Sequence, residues 1–326
     1  MNDKPTEVPT VAAILPSVER VVQRLQHVSI DEVAVARFAR ELNETPQLSG
    51  PEDDALLFQG PRESCANFCL LCDALNFCFW SDQGWELEFA GKLWTRTHAM
   101  IAGVLRAIDQ DPSWLTADRW RDATMSDVET IFAGRGSIPF PDERLRIMNE
   151  TGRVLCDRFD GQFAHAVDRT DQDASGIVEI LARDFPSFRD VAMHSSESVV
   201  FLKRAQICVA DLHRTLTANG LGGLGGLESL TVFADYRLPQ LFRHVGALVL
   251  NPQLAATVDQ ELEVANGSTE EVELRAVTIW IADQLVRELR RMGRSVDAWE
   301  LDYTLWLKAR SPEVRVPHHR TVSIFY

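Results

Sequence analysis

Residues Thr231 to Gln240 read TVFADYRLPQ. An apolar run from Leu230 to Ala234 leads the chain inward. Asp235, Tyr236 and Arg237 then arrive together, and a helix is expected to continue through Pro239 and on from Leu241 to Leu250. A carboxylate in this position has two readings. As a cap, Asp235 accepts hydrogen bonds from the first free amides of that helix. As a catalyst, it is an acid held at a positive helix end beside a pocket. The ten residues by themselves leave both open.

Outward from this stretch the chain reads as helix after helix. On the N-terminal side, Val199 to Leu216 is amphipathic and carries Lys203 and Arg204 in its first turns. It runs into Asn219 to Gly226, NGLGGLGG, whose glycines permit positive φ in a tight hairpin joining two helices. No Gly-Lys-Ser/Thr comes after it, so this is not a Walker loop. Earlier helices are expected from Ser17, as a cap, through Leu25, from Ile30 to Leu42 capped by Ser29, over Cys65 to Trp80, and from Trp94 to Ile108. Two short helices fall within Thr116 to Phe132, another comes after Asp142, and another spans Ile177 to Arg183. Beyond Asn251-Pro252, helices are expected at 254–264, 270–292 and 297–308. The end, VPHHRTVSIFY, alternates like a strand. Residues 47–61, rich in Gly, Pro and Asp, form a loop. The fold class is therefore mainly α with a short strand-like C-terminus. Residues 1–60 supply N-terminal helices and a loop, and residues 61–326 form one helical unit in which two lobes would meet at a cleft near Asp235.

Composition narrows the function classes. Forty-eight Asp and Glu against 33 Lys and Arg leave a net charge of −15, which repels a phosphate backbone and argues against duplex nucleic acid. No apolar run approaches the ~20 residues needed to span a bilayer, and MNDKPTEVPT lacks the basic-then-greasy pattern of a secretory signal. A cytoplasmic monomer is expected. Cys65, Cys69 and Cys72 match the CxxxCxxC spacing of cluster-binding radical enzymes. They lie, however, in a segment that reads as a buried helix with no train of βα units after it, so they are expected to be small buried hydrophobes. No His pair accompanies them, and no metal or cofactor is expected.

Several separate segments then resemble one family. LNFCFW at Leu75 to Trp80, FLKRAQICVADL at Phe201 to Leu212 and TVFADYRLPQ are joined by EVELRAVTIW at Glu271 to Trp280, LDYTLW at Leu301 to Trp306 and the PHHRT tail. Together they resemble the queuosine salvage protein family, over most of the chain from about Pro61 onward. The resemblance implies hydrolysis of the bond between the deazaguanine base queuine and ribose 5-phosphate in queuosine 5′-monophosphate. It also implies a fold like that of the helix-hairpin-helix DNA glycosylases, with the Gly220 to Gly226 turn and Asp235 in the places of their hairpin and catalytic aspartate. The shorter spacing from turn to Asp, and the acidic charge, depart from those DNA enzymes.

On this resemblance Asp235 stabilises or attacks an oxocarbenium-like sugar, or activates water, and Lys203 holds Asp235 ionised or binds phosphate. Phe77 and Trp80 are candidates to stack the base, and Asp82, Asp302 and Tyr303 to bond its polar groups. Arg237, His318, His319 and Arg320 are candidates for the 5′-phosphate. A DNA-repair glycosylase and a non-catalytic nucleotide-binding module are the alternatives. The first needs a basic face; the second would tolerate loss of Asp235.

Overall fold

The computed structural model describes residues 8–46, 54–81 and 84–326. Fourteen α-helices and seven short strands lie among the described residues, so the mainly α expectation holds. The strands were hidden from helical periodicity, and each has a local cause.

Near the N-terminus come α1 (Ile14–Val22), β1 (Val28–Ile30) and α2 (Glu32–Glu44). Ser17 lies inside α1 rather than at its cap. Its hydroxyl donates to the Ile14 carbonyl at 2.8 Å and accepts from Val200 N at 3.0 Å, tying the helix to a distant strand. The cap of α2 is Asp31, not Ser29: Oδ1 accepts from Val33 N and Ala34 N at 2.9 and 3.0 Å, a contribution of about 1 kcal/mol.

Helix α3 (Arg62–Ala74) is buried on every side from Cys65 to Ala74. Cys65, Cys69 and Cys72 are free thiols in it, and burial pushes Cys69 and Cys72 well above the usual thiol range. Next, β2 (Trp85–Phe89) and β3 (Lys92–Thr95) form a hairpin with Leu87 opposite Trp94. Ala90 and Gly91 both have positive φ, the backbone of a two-residue hairpin turn that matches strand twist. Helix α4 (Arg96–Gln110) therefore starts two residues later than its periodicity suggests. The short helices α5 (Ala117–Arg121) and α6 (Met125–Ile131) come next, and β4 (Arg135–Gly136) adds a third strand beside β2.

Helices α7 (Pro141–Phe159), α8 (Phe163–Asp168) and α9 (Ala174–Asp184) lead to a second hairpin, β5 (Val191–His194) and β6 (Glu197–Val200). The β-branched Val199 and Val200 belong to β6, and Leu202 at φ 53° breaks the chain before α10 (Lys203–Ala218). The expected helix from Val199 is thus a strand, a kink and a helix.

The glycine-rich turn does not join two helices. Gly220, Gly222 and Gly226 do adopt positive φ, but they lead into a single 3-10 turn at Leu227–Ser229 and the extended, buried run 230–234. The next α-helix, α11 (Arg237–His244), is short because Gly246 at φ 80° turns the chain into β7 (Leu248–Leu250). β7 pairs antiparallel with β1.

Helix α12 (Pro252–Asp259) precedes the long α13 (Thr269–Arg291), and α14 (Ala298–Ala309) is the last. α13 is the centre of the packing: α1 and α2 lie on it, as do α11 and α14, and 14 of its residues are buried. The helices before residue 61 are therefore joined to the second half both through α13 and through the β1–β7 pair. The C-terminal strand expected from alternation is absent: residues 316–326 make one β-bridge, Arg320 with Glu263, and no described strand lies alongside to extend it. No described helix is long and apolar enough to cross a membrane.

Candidate active site

Three helices begin at one cleft, and each begins with a cation. Arg96, Lys203 and Arg237 are the first residues of α4, α10 and α11, and all three line the same chamber. Helix N-termini carry partial positive charge and free amides, so this rim favours an anion. Two of these starts lie next to or contain a left-handed residue, Leu202 at φ 53° and Arg96 at φ 55°. Strain of this kind persists only where the surroundings fix it, and it gathers at functional sites.

The cleft has two adjoining chambers that share Asn76, Thr97, His98, Lys203, Asp235 and Trp306. The larger, about 190 Å³, has apolar and aromatic walls from Phe68, Ile101, Ile207, Phe233 and Tyr303, with Asp73, Asp211, Asp302 and Arg214 among them. The smaller, about 50 Å³, is bounded by Phe77, Phe79 and Tyr236 and by Arg96, Arg237 and Arg310. Asp235 and Lys203 stand where the two meet.

The extended run 230–234 delivers Asp235 to this junction. Thr231 N donates to Gln206 Oε1 of α10 at 2.8 Å, and Phe233 N to Asp302 Oδ1 of α14 at 2.8 Å. Asp235 then does what a cap does: Oδ1 accepts from Arg237 N at 2.7 Å and Leu238 N at 3.0 Å. Both bonds fall on Oδ1, which leaves Oδ2 for the cleft. Capping and facing a pocket are compatible, because a carboxylate has two oxygens.

Burial pushes Asp235 up to about 6, against the opposing pull of Lys203 and of its backbone donors. Asp302 is pushed up to about 7, again by burial, with Asp235 adding to the effect and the Phe233 amide opposing it. Burial lowers the Lys203 ammonium, while Asp235, Asp73 and Asp302 hold it up. Asp235 and Asp302 thus hold their protons to higher pH than free carboxyls do, beside a buried amine whose charge these carboxylates favour and its burial opposes.

Of the residues singled out by sequence, Asp235, Lys203, Phe77, Arg237, Asp302 and Tyr303 come together on the cleft walls. Phe77 is 1% exposed, with the Arg144 guanidinium 4.4 Å from its ring centre, so it is a packed wall rather than an open plate. Tyr303 stacks on Trp306 at 6.3 Å. Trp80, His318 and Arg320 do not line either chamber. Trp80 Nε1 donates to the Thr321 carbonyl at 3.2 Å, and the Arg320 guanidinium lies over the Trp80 ring while pairing with Glu261. His318 packs on Tyr236 at 4.6 Å, behind the chamber wall, and burial lowers its imidazole. His319 is buried beside Tyr326, at 6.1 Å between ring centres. Asp82 lies outside the described residues.

Sequence reasoning missed Arg96, Thr97, His98, Arg310, Asp73 and Asp211. Arg96 was concealed because the helix start was placed at Trp94. Trp306 is a wall shared by both chambers.

Comparison with known proteins agrees with the sequence resemblance. Residues 56–326 match the family described as queuosine salvage protein. A protein of Sphaerobacter thermophilus named queuosine 5′-phosphate N-glycosylase/hydrolase is 42% identical over 96% of this chain and 97% of its own length. Proteins of the same name from Mus musculus and Bos taurus are 35% and 31% identical, over 82% and 95% of this chain and 84% and 97% of theirs.

Proposed function

The chain belongs to the queuosine salvage protein family, and from that premise we propose that it hydrolyses the N-glycosidic bond of queuosine 5′-monophosphate, releasing queuine and ribose 5-phosphate. The observation that carries this reading is the position of Asp235 and Lys203 at the junction of two chemically different chambers. A nucleotide has the same asymmetry, with a flat base on one side of C1′ and a phosphate on the other. The larger aromatic and acidic chamber suits the base, whose ring offers N–H donors to carboxylates. The smaller chamber, with Arg96, Arg237 and Arg310, suits the phosphate.

In this reading the bond between C1′ and the base breaks with its electron pair going to the base, and positive charge develops on the ribose. Oδ2 of Asp235 stabilises that charge, and water adds its oxygen to C1′ and loses a proton as the ring nitrogen freed from C1′ gains one, which completes neutral queuine. The leaving 7-deazapurine has carbon at position 7, so protonation there is not open to it. Asp302, partly protonated near neutrality, supplies a donor in the base chamber. Lys203 keeps Asp235 ionised within a buried cleft. The overall acidic charge fits a small free nucleotide rather than a duplex, and we place the reaction in a cytoplasmic monomer, with residues 61–326 as the catalytic unit.

The phosphate chamber provides a test. Each hydrogen bond to a charged group contributes about 1.5–3 kcal/mol, so two retained in the transition state favour the nucleotide over the nucleoside by at least about 100-fold in kcat/KM. Steady-state kinetics on queuosine and its 5′-monophosphate measure this ratio. Arg96→Ala combined with Arg237→Ala is expected to reduce it to near one. Equal kcat/KM for the two substrates in the unaltered protein would remove the phosphate from that chamber.

A further inference from the structure

Asp235 and Lys203 are contributed by segments far apart in the chain, yet one buried ion pair touches the backbone of both. On α13, Arg275 Nη1 and Nη2 donate to Asp190 Oδ1 and Oδ2 at 2.9 and 2.5 Å. The side chains of the pair are 2% and 1% exposed. Arg275 Nε donates to the carbonyl of Ala234, the residue before Asp235, at 3.4 Å. Asp190 Oδ2 accepts from Lys203 N at 3.1 Å, and the Asp190 carbonyl accepts from Phe201 N and Leu202 N at 3.1 and 3.2 Å. The guanidinium is itself fixed, 4.0 Å from the Phe201 ring centre and 4.4 Å from that of Tyr326.

We infer that Asp190 and Arg275 are positioning residues that set the geometry of Asp235 relative to Lys203. The inference rests on the functional reading above and deepens it. Neither residue lines either chamber, so neither touches substrate. Their bonds instead determine where two chain segments lie. Asp190 holds the left-handed turn at Leu202 from which α10 begins, and so fixes the start of the Lys203 side chain. Arg275 holds the end of the run that delivers Asp235. A buried ion pair is weak evidence of a contribution to stability, because well-packed apolar residues of similar volume often replace one without loss. A pair that positions catalytic groups behaves differently: its replacement leaves the protein folded and slows the chemical step, since a shift of about 1 Å in a reacting group can cost ~100-fold.

The test is the double variant Asp190→Leu/Arg275→Met, which removes both charges of the pair together and leaves the buried Glu271 carboxyl, 3.7 Å from Arg275 Nη1 and already favouring its protonated form, to take up a proton; it is run together with the charge-retaining Arg275→Lys. Both are compared with the unaltered protein on queuosine 5′-monophosphate. The double variant is expected to keep a cooperative thermal transition and to lose about 100-fold in kcat, with KM within about threefold. Arg275→Lys keeps the charge but loses the fork and is expected to lose about tenfold in kcat. A double variant with kcat within twofold of the unaltered protein, or one whose loss lies wholly in KM, would overturn the inference. Backbone amide exchange gives a readout that needs no substrate: residues 201–203 and 234–238 should exchange at least tenfold faster in the double variant, with α3 unchanged. Unchanged exchange in those two segments overturns the inference even if the unaltered protein releases no queuine, an outcome that by itself counts against the functional reading alone.

Discussion

Asp235→Asn is expected to lower kcat at least ~1000-fold while the Kd for queuosine 5′-monophosphate changes by less than about threefold. The substitution is nearly isosteric. The Asn carbonyl can still accept from Arg237 N and Leu238 N, so the start of α11 and the run from Thr231 are preserved. The group facing C1′ is altered: a negatively charged oxygen becomes an amide NH₂ whose hydrogens carry positive charge. An interaction that is favourable mainly in the transition state becomes repulsive there, so the loss falls on kcat rather than on binding. Single-turnover kinetics and calorimetric titration read the two quantities separately. Turnover within tenfold of the unaltered protein would exclude a charge-stabilising role for Asp235.

Lys203→Met should lower kcat/KM at pH 7 about 100-fold and move its acid limb upward. Methionine retains length and packing and deletes the charge. In the unaltered protein the working form pairs the Asp235 carboxylate with protonated Asp302, so kcat/KM is greatest between about pH 6 and 7 and falls to half as pH drops to about 6. Lys203 is the strongest influence lowering Asp235, and it lowers Asp302 as well. Without it both carboxyls hold their protons to higher pH, and a nearby opposite charge is worth one to three pH units. The limb is a property of the whole cluster rather than of one residue. A pH–rate profile of the variant should therefore show partial recovery toward alkaline pH. A reduced rate with an unmoved acid limb would mean that Lys203 acts on substrate alone and not on Asp235.

How far the sequence could be read depended on whether the signal was local. The long buried helix α13 was legible almost to the residue, 270–292 against Thr269–Arg291, because its apolar positions recur over many turns and Ser268 caps it through Glu271 N. The two hairpins were not. Their turns use Ala90, Ser195 and Ser196 at positive φ, where the Asn-Gly type of turn signal is absent, and so the flanking strands merged into the periodicity of the neighbouring helices. That error carried directly into the site. Placing the start of α4 at Trp94 made Arg96 an ordinary helical arginine, whereas the hairpin makes it the first residue of a helix aimed into the cleft.

The glycine-rich turn was misread for a related reason. Glycine marks a backbone position where positive φ is allowed, but it does not specify the conformation of the next segment, which here is a buried extended run rather than a helix. Asp235 was legible as either cap or catalyst, and in the structure it caps α11 through Oδ1 and also lines both chambers. The PHHRT tail shows the opposite limit. Its concentration of cations suggested a phosphate pocket, but Arg320 is drawn to Glu261 and Trp80, and His318 lies beneath Tyr236. Adjacent charges in sequence do not share a direction in space. The cations that do converge, Arg96, Arg237 and Arg310, are separated by most of the chain and meet only after it folds.

The most direct measurement is incubation of the purified protein with queuosine 5′-monophosphate, with queuine and ribose 5-phosphate monitored together by chromatography with mass detection. Equimolar release of both by the unaltered protein, with none above background from Asp235→Asn, is the expected result. Intact nucleotide recovered from a protein that binds it would contradict the account and leave a helical nucleotide-binding module in place of an enzyme.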